Sequence, residues 1–350
     1  DIQCNQSNPS KCKPSSKHFR LKIVLLCNMK KNILIIGAGA VGLVYGRHLA
    51  IGGQKVTFFV REKYVDEISK GSILYHMNTD KQLKKPIHFN DYSLMSSFEQ
   101  LGQTKWDQIY LCVSSTALQS FDFESFKSQL SGEPTIVMLQ PSIQDYHFLI
   151  EHFPAEQIVE GMITLISYAT PLATESVDPA GTAYWLPPLA STPFSGEQKR
   201  RDEVIQAFKD GKLRSASDPN VRHKALFPTA FLTSFLTALE ANNWKFESLK
   251  NNTAILNQLP KVYNEVFSTL EAKHHVKRPL GIGFMTTPFV IKLLLKFAPM
   301  VMPMDIETYL EYHFKKVNDQ TKLYMKNFQL TAESVGVEHE NLKAFNQLNS

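Results

Sequence analysis

The sequence predicts an α/β domain followed by a helical domain, and three features of its patterning carry that prediction. Short apolar runs alternate with helical segments up to about residue 190. A glycine-rich junction follows the first of these runs, and helical periodicity dominates from about residue 200. The length of 350 residues exceeds what one hydrophobic core usually serves. We therefore expect a leader over 1–28 that is not part of the fold, an α/β domain over 29–212 and an all-α domain over 213–350.

The first element is a buried strand over 33–36 that ends in the junction Gly37-x-Gly39-x-x-Gly42 and continues as a helix. This order is typical of a Rossmann-type dinucleotide-binding domain. Gly37 permits the tight turn, Gly39 lets the backbone approach a pyrophosphate, and the helix N-terminus stabilises that anion. A loop that binds nothing is the alternative. The predicted cofactor contacts in this loop are Gly37, Ala38, Gly39, Ala40, Val41 and Gly42.

The second strand lies within 54–64 and ends at a basic residue. An NAD-binding protein usually carries an acidic residue about 20 residues beyond the fingerprint, where it binds the ribose 2′-hydroxyl. Arg61 stands there instead, and a guanidinium pairs with a 2′-phosphate. The sequence therefore favours NADP(H), with Lys63 in an assisting position. An exposed arginine beside Glu62 that binds nothing is the alternative.

Two further apolar runs, over 107–115 and 133–142, are typical of parallel strands. Ligands of such sheets collect at the carboxyl ends of the strands. The candidates for lining the cofactor cleft are therefore the polar residues that end these runs, although serines also end many strands for local reasons. They are Ser114, Ser115, Gln140 and Ser142.

Residues 161–188 contain two strand-like runs around a loop, and we expect a hairpin that extends the sheet. A break with helix-start character follows at 216–224. Helices that pack against one another are the simplest architecture beyond it. Their predicted spans are 222–243, 255–275, 283–297 and 305–335.

The most hydrophobic segment, 280–303, has nearly the length of a membrane span. Two prolines and two lysines interrupt it, namely Pro288, Lys292, Lys296 and Pro299. We therefore predict a core or interface helix and no stable membrane insertion. A peripheral membrane contact is the alternative.

The charge distribution gives no reason to expect a nucleic acid or an acidic membrane as partner. The formal net charge is +5, and the first 28 residues contribute +4 of it through five basic residues against Asp1. The rest of the chain is therefore close to neutral.

The same leader holds Cys4, Cys12 and Cys27, so Cys112 is the only cysteine outside it. The apolar run at 23–27 is too short for the core of a secretory signal. A single cysteine excludes a disulfide within the predicted domains and fits a cytoplasmic protein. Neither the cysteines nor the 11 histidines show metal-ligand spacing, so no metal site is predicted.

The strand-and-loop segment "ILIIGAGAVGLVYGRHL", the arginine after the second strand, and "RHKALFPTAFLTSFLTAL" at 222–239 together resemble the ketopantoate reductase family. The resemblance extends from Met29 to about Leu342. It implies a two-domain enzyme that uses NADPH to reduce the keto group of 2-dehydropantoate, with a lysine at the start of a long helix as general acid. Lys224 occupies that position, where we expect it to be partly buried and able to reach a cleft. An exposed helix-start lysine is the alternative.

Four positions depart from the family pattern. The resemblance implies a lysine where Ser114 stands, asparagines where Pro141 and Pro228 stand, and a glutamate that binds the substrate hydroxyl where Gln320 stands. Gln320 still forms hydrogen bonds but carries no charge. Because a site built on different polar groups rejects the original substrate, the substrate is expected to differ. The phrase "YLEYHFKKVNDQT" resembles a divergent, ketopantoate-reductase-like branch.

These features together predict an NADPH-dependent oxidoreductase that reduces a carbonyl of a small and more apolar substrate, with Lys224 and Gln320 as its catalytic residues. A non-catalytic NADP-binding sensor or interaction protein is the alternative, because the family's polar contacts are missing. A homodimer through the helical domain stays open, since the sequence does not settle the oligomeric state.

Overall fold

The computed structural model describes residues 30–348 of the chain. The predicted leader therefore lies outside the described residues. Within them, an eight-stranded sheet and a four-stranded sheet precede a helical region. The α/β class with a helical C-terminal region, predicted from the sequence, is thereby confirmed.

The main sheet has the strand order β12-β11-β8-β7-β6-β1-β2-β5. All neighbouring strands are parallel except β8 and β11. The order reverses between β1 and β6, which is the point where ligands of doubly wound sheets bind. The strands are β1 (Asn32–Ile36), β2 (Lys55–Phe59), β5 (Ser93–Met95), β6 (Gln108–Leu111), β7 (Thr135–Met138), β8 (Ile158–Gly161), β11 (Thr192–Ser195) and β12 (Ser215–Ser217).

Both faces of this sheet are covered, as the uninterrupted apolar run of β1 requires. Ile33 and Ile35 face helices α1 and α6, whereas Leu34 and Ile36 face α3, α4 and α5 on the other side. The helices of this half are α1 (Ala40–Ile51), α2 (Val65–Ile68), α3 (Ser115–Gln119), α4 (Phe123–Ser128), α5 (Ile143–His152) and α6 (Gln198–Asp210).

The hairpin expected within 161–188 forms, but it does not extend the main sheet. Its strands β9 (Ile166–Thr170) and β10 (Gly181–Trp185) are antiparallel, and β10 pairs with β3 (Ser72–His76), which pairs in turn with β4 (Ile87–Phe89). The expectation was wrong because β11 occupies the position beside β8.

The second sheet has apolar residues on both of its faces. Leu74 and Tyr184 pack into the cluster around α1, whereas Tyr75 and Ala183 pack into the core of the helical region. This sheet therefore lies between the two halves of the molecule and joins their cores.

The helical region contains helices in all four predicted spans, but two of the spans divide, and the helices Phe246–Asn251 and Glu340–Asn346 lie outside them. The span 283–297 divides at Thr287, which caps the next helix at its N-terminus and is followed by Pro288 in the first turn. The span 305–335 divides at Val317, beyond which Asn318 donates a hydrogen bond to Glu240. The helices are α7 (Val221–Glu240), α8 (Phe246–Asn251), α9 (Thr253–His274), α10 (Ile282–Met285), α11 (Pro288–Val301), α12 (Ile306–Lys316), α13 (Asn318–Val335) and α14 (Glu340–Asn346). Across residues 30–348, no helix has the length and apolar character needed to cross a membrane.

Candidate functional site

The glycine-rich junction lies between β1 and α1, directly beside the reversal of strand order. Gly37 has a φ of +101°, a conformation that favours glycine. A Cβ on Gly42 would lie 2.1 Å from the carbonyl oxygen of Gly37, so the turn and the helix approach each other too closely for any side chain there. The sequence therefore specifies this turn through two glycines with separate roles.

The N-terminus of α1 fits the phosphates of a dinucleotide. Gly39 precedes the helix and provides no side-chain cap, and the first turn contains no acidic residue. The positive end of the helix dipole is thus left without a protein partner. A Cβ built on Gly39 would meet no atom within 4 Å, so open space lies in front of the loop. The other predicted contacts of this loop, Ala38, Ala40 and Val41, are partly exposed beside it.

Arg61 lies two residues after the end of β2, and its side chain is exposed. Its guanidinium donates a hydrogen bond to the hydroxyl of Tyr64 at 3.3 Å and lies 5.2 Å from the centre of that ring. Among the described residues no carboxylate forms an ion pair with it. The guanidinium is therefore free to receive an anionic group at the edge of the nucleotide site.

Two predicted residues lie at the carboxyl ends of β6 and β7. Ser114 caps α3 and accepts a hydrogen bond from the backbone N–H of Ala117 at 3.3 Å. Gln140 is buried, and its amide nitrogen donates to the carbonyls of Leu111 and Val113 at 3.0 and 2.7 Å. Gln140 thus stabilises the end of β6, and its side-chain donor group, which was expected to face the cofactor, is already used within the protein.

Ser115, the next residue along the chain, anchors a buried polar network. Its hydroxyl donates to an oxygen of Asp145 at 2.5 Å and accepts from the hydroxyl of Tyr324 at 2.8 Å. The amide of Gln119 donates to the other oxygen of Asp145 at 2.9 Å. Asp145 is fully buried, so each of its carboxylate oxygens receives the hydrogen bond that burial demands.

Gln320 joins this network from helix α13. Its amide nitrogen donates to the Tyr324 hydroxyl at 3.3 Å, and its amide oxygen accepts from the backbone N–H of Ser115 at 3.4 Å. The predicted catalytic residue of the helical half therefore contacts the carboxyl end of β6 directly. The hydrogen bonds of this network all run in one direction. Gln320 donates to Tyr324, Tyr324 donates to Ser115, and Ser115 donates to the carboxylate of Asp145.

Burial shifts the acidity of two groups in this network. Desolvation raises the pKa of Asp145 above its usual value, and hydrogen bonds from Ser115 and Gln119 oppose that shift. Burial likewise raises the pKa of Tyr324 to about 12. Tyr324 therefore remains a hydrogen-bond donor over the ordinary pH range.

Of the residues in this network, the sequence predicted a role for Gln320 but not for Asp145 or Tyr324. Asp145 lies in the first turn of a helix, where a carboxylate is usually exposed. The sequence contained one indication of Tyr324. It is four residues from Gln320, so the two side chains face the same side of a helix.

Lys224 lies in the first turn of α7, as the resemblance implies, but it is not buried. Its side chain is 65% exposed and its ammonium lies 2.5 Å from a carboxylate oxygen of Asp218. Burial raises the pKa of Asp218, but the hydrogen bond from Lys224, the backbone hydrogen bond from Asn220 and the charge of Lys224 together outweigh burial and lower that pKa overall. The expected partial burial of Lys224 was wrong, because Asp218 and solvent surround its charge at the protein surface.

The neighbouring Arg222 anchors the start of α7 to the α/β half. Its guanidinium donates two hydrogen bonds to Glu160 at the end of β8, at 2.7 and 2.5 Å, and stacks on the ring of Tyr146. No hydrogen bond or ion pair within residues 30–348 joins Lys224 to Gln320 or to Ser115. The structure therefore brings Gln320 to the strand ends and leaves Lys224 outside that contact.

The described residues contain no group of three or more His, Cys, Asp or Glu side chains placed to hold a metal ion.

The N-terminal half matches a known protein family. Residues 33–177 match the family model of ketopantoate reductase PanE/ApbA. No curated protein matches the chain at a significant level.

Solved structures share the fold over nearly the whole chain. A PanE/ApbA family ketopantoate reductase from Ralstonia eutropha has a TM-score of 0.66 at 16% identity, covering 91% of this chain and 97% of its own. A 2-dehydropantoate 2-reductase from Geobacter metallireducens has a TM-score of 0.62 at 15% identity, covering 91% and 98%. A D-mandelate dehydrogenase bound to NADH and anilino(oxo)acetate has a TM-score of 0.67 at 14% identity, covering 91% and 96%.

Residues 33–177 are therefore similar to the ketopantoate reductase family, and the chain shares the fold of the solved ketopantoate reductases. The resemblance inferred from the sequence is thereby confirmed, at the low identity expected of a divergent branch. The D-mandelate dehydrogenase has the same fold, so the fold alone does not specify the substrate.

Proposed function

We propose that this protein is an NADPH-dependent oxidoreductase that reduces the carbonyl group of a small substrate more apolar than 2-dehydropantoate. The observation that carries the proposal is the placement of Gln320 against Ser115, at the carboxyl end of β6. That end of the sheet also holds the glycine loop. A substrate-binding side chain and a dinucleotide loop at the same edge are what a hydride-transfer site requires.

NADPH supplies the hydride in this proposal, and the chain's own residues bind and orient it. The first turn of α1 holds the pyrophosphate by its free N–H groups. Arg61 holds the 2′-phosphate, because its exposed guanidinium stands where an NAD-binding protein carries a carboxylate. The NADH in the D-mandelate dehydrogenase structure is a nicotinamide dinucleotide on the same fold.

Lys224 holds the proton for the carbonyl oxygen at its Nζ atom. Asp218 lies beside this atom and accepts a hydrogen bond from it, so the carboxylate fixes the position of the ammonium group. Since the ammonium is exposed, the proposal requires substrate binding to bring it to the reacting carbonyl.

The preference for a more apolar substrate follows from the site residues. Gln320 and Tyr324 are neutral, and neither Pro141 nor Pro228 has a side-chain hydrogen-bonding group or a backbone N–H. A substrate hydroxyl that a glutamate would have bound therefore finds weaker partners. A substrate without that hydroxyl loses no binding energy from the replacement of glutamate by Gln320.

A second candidate function is that of a non-catalytic NADP-binding sensor. The ion pair between the exposed Lys224 and Asp218 favours it, because the proposed general acid is already paired at the surface. NADPH oxidation by the purified protein against a panel of 2-keto acids and ketones separates the two functions. Turnover with any member supports the reductase. Tight NADPH binding without turnover of any member supports the sensor.

A further inference from the structure

Helix α11 and the segment before it expose an unusually apolar surface. Phe289, Met300 and Val301 are 69%, 75% and 71% exposed. Soluble monomers rarely leave so much contiguous apolar surface in water without a function. We call this surface the apolar face, and its members are Leu280, Phe284, Met285, Phe289, Leu293, Leu294, Phe297, Met300 and Val301.

The apolar face is built by helical spacing. Phe289, Leu293, Phe297 and Met300 recur three or four residues apart and so share one side of α11. The opposite side anchors the helix, because Ile291 and Leu295 are buried in the core of the helical region. The helix is therefore fixed to the protein and presents its second apolar side outward.

The charges around this face have a single sign. From residue 272 to residue 304 the chain contains five Lys or Arg residues and no Asp or Glu. Arg278 is neutralised by an ion pair with Glu271. Lys292 and Lys296 flank the apolar face one helical turn apart, and neither forms an ion pair within residues 30–348. This segment therefore has a local excess of positive charge, although the chain beyond residue 28 is close to neutral overall.

The positive charges indicate which binding partner fits the apolar face: a second copy of the chain, residues 1–28 or a lipid surface. A two-fold dimer would place the same surface on both sides of the interface, so the lysines of one copy would meet those of the other without carboxylates from the segment. Residues 1–28 also carry a net positive charge. An anionic lipid surface accepts both the apolar side chains and the flanking cations.

We propose that the apolar face docks on the surface of an anionic lipid bilayer, with α11 lying in the plane of the interface. Phe, Leu and Met side chains enter the boundary between headgroups and acyl chains. Lys292 and Lys296 extend their ammonium groups to the anionic headgroups. The docking does not depend on the reductase activity.

Co-sedimentation of the full chain with vesicles tests this proposal. We expect binding to vesicles of phosphatidylcholine mixed with phosphatidylserine, weak binding to phosphatidylcholine alone, and loss of binding at high salt. Lys292→Glu with Lys296→Glu should lower the partition ratio at least about 30-fold, since each basic residue near such a surface contributes about a fivefold factor. Phe289→Ser with Phe297→Ser should also abolish binding.

The matched control is Lys199→Glu with Lys209→Glu on the exposed side of α6, which changes the net charge equally and should leave binding intact. Circular dichroism melting checks that each variant folds. Equal binding to both kinds of vesicle, or binding to neither, would overturn the proposal. So would a concentration-dependent dimer in sedimentation velocity that the Phe289→Ser, Phe297→Ser variant abolishes, because the occupant would then be a second copy.

Discussion

The hydroxyl group of Ser115 lies 2.5 Å from a carboxylate oxygen of Asp145 at the bottom of the candidate site. Ser115 begins α3 and Asp145 lies in the first turn of α5, so the bond ties together the chain segments that follow β6 and β7. Tyr324 and Gln320 extend the contact to α13. The strand ends and the helical half are therefore held in register by one buried carboxylate and the donors that surround it.

Titration of Asp145 should make the stability of the protein depend on pH. Burial raises the pKa of Asp145 above the ordinary value of 3.8, so the folded protein binds this proton more tightly than the unfolded chain does. Its contribution to the free energy of unfolding is complete below the ordinary pKa and is lost as the pH rises through the folded-state pKa. The variant Asp145→Asn has no ionisable group at this position, so this contribution to the pH dependence of stability is absent from it.

Denaturant unfolding of both proteins over a series of pH values measures this effect. The stability of the wild type minus that of Asp145→Asn should fall as the pH rises through the window above 3.8. Asp319→Asn on the exposed side of α13 is the control and should show no such trend. A difference that stays constant or rises with pH would show that the carboxylate is not destabilised by burial.

Two glycines of the same loop should respond differently to substitution by alanine. At Gly42 the added Cβ would lie 2.1 Å from the carbonyl oxygen of Gly37, so Gly42→Ala should lower the melting temperature and impair dinucleotide binding together. At Gly39 the Cβ meets no atom within 4 Å, so Gly39→Ala should keep the melting temperature and weaken only dinucleotide binding. Undiminished binding by Gly39→Ala would mean that the ligand does not approach this loop.

Cofactor choice should depend on Arg61. We expect Arg61→Ala to weaken NADPH binding by about 1.5–3 kcal/mol, the contribution of a charge-assisted hydrogen bond, and to leave NADH binding unchanged. Fluorescence titration with each nucleotide measures the two affinities. Lys70→Ala, which removes an exposed positive charge that is not among the predicted cofactor contacts, is the control. If Arg61→Ala weakens both nucleotides equally, the guanidinium does not bind the 2′-phosphate.

Lys224 should affect turnover without affecting cofactor binding. Lys224→Ala should lower the rate on any carbonyl substrate about 10²–10⁴-fold, which is the usual contribution of a positioned general acid. Its NADPH affinity should stay close to that of the wild type. Lys261→Ala, which removes an exposed lysine of α9, is the matched control. Full activity in Lys224→Ala would make this residue an ordinary exposed lysine at a helix start.

The parts of the fold that depend on neighbouring residues were predictable from the sequence. These signals determine structure within a few residues, and they are the apolar run at 33–36, the glycines after it and the prolines at helix starts. The second sheet was not predictable, because the pairing of β10 with β3 joins segments about a hundred residues apart and leaves no local pattern. Asp145 and Tyr324 were missed for the same reason, since their burial depends on the packing of α5 and α13 against α3.

In the function that we propose, the site reduces a carbonyl but lacks the contact to the hydroxyl of 2-dehydropantoate. The most direct test is kcat/KM with NADPH for 2-dehydropantoate and for the analogue that lacks only its terminal hydroxyl. An enzyme built to bind that hydroxyl rejects the analogue by as much as 10⁴–10⁵-fold. Because Gln320 stands at the glutamate position, we predict that the analogue is used at least as efficiently as 2-dehydropantoate. A kcat/KM for 2-dehydropantoate that is about 10²-fold or more above that for the analogue would contradict the proposed loss of the hydroxyl contact.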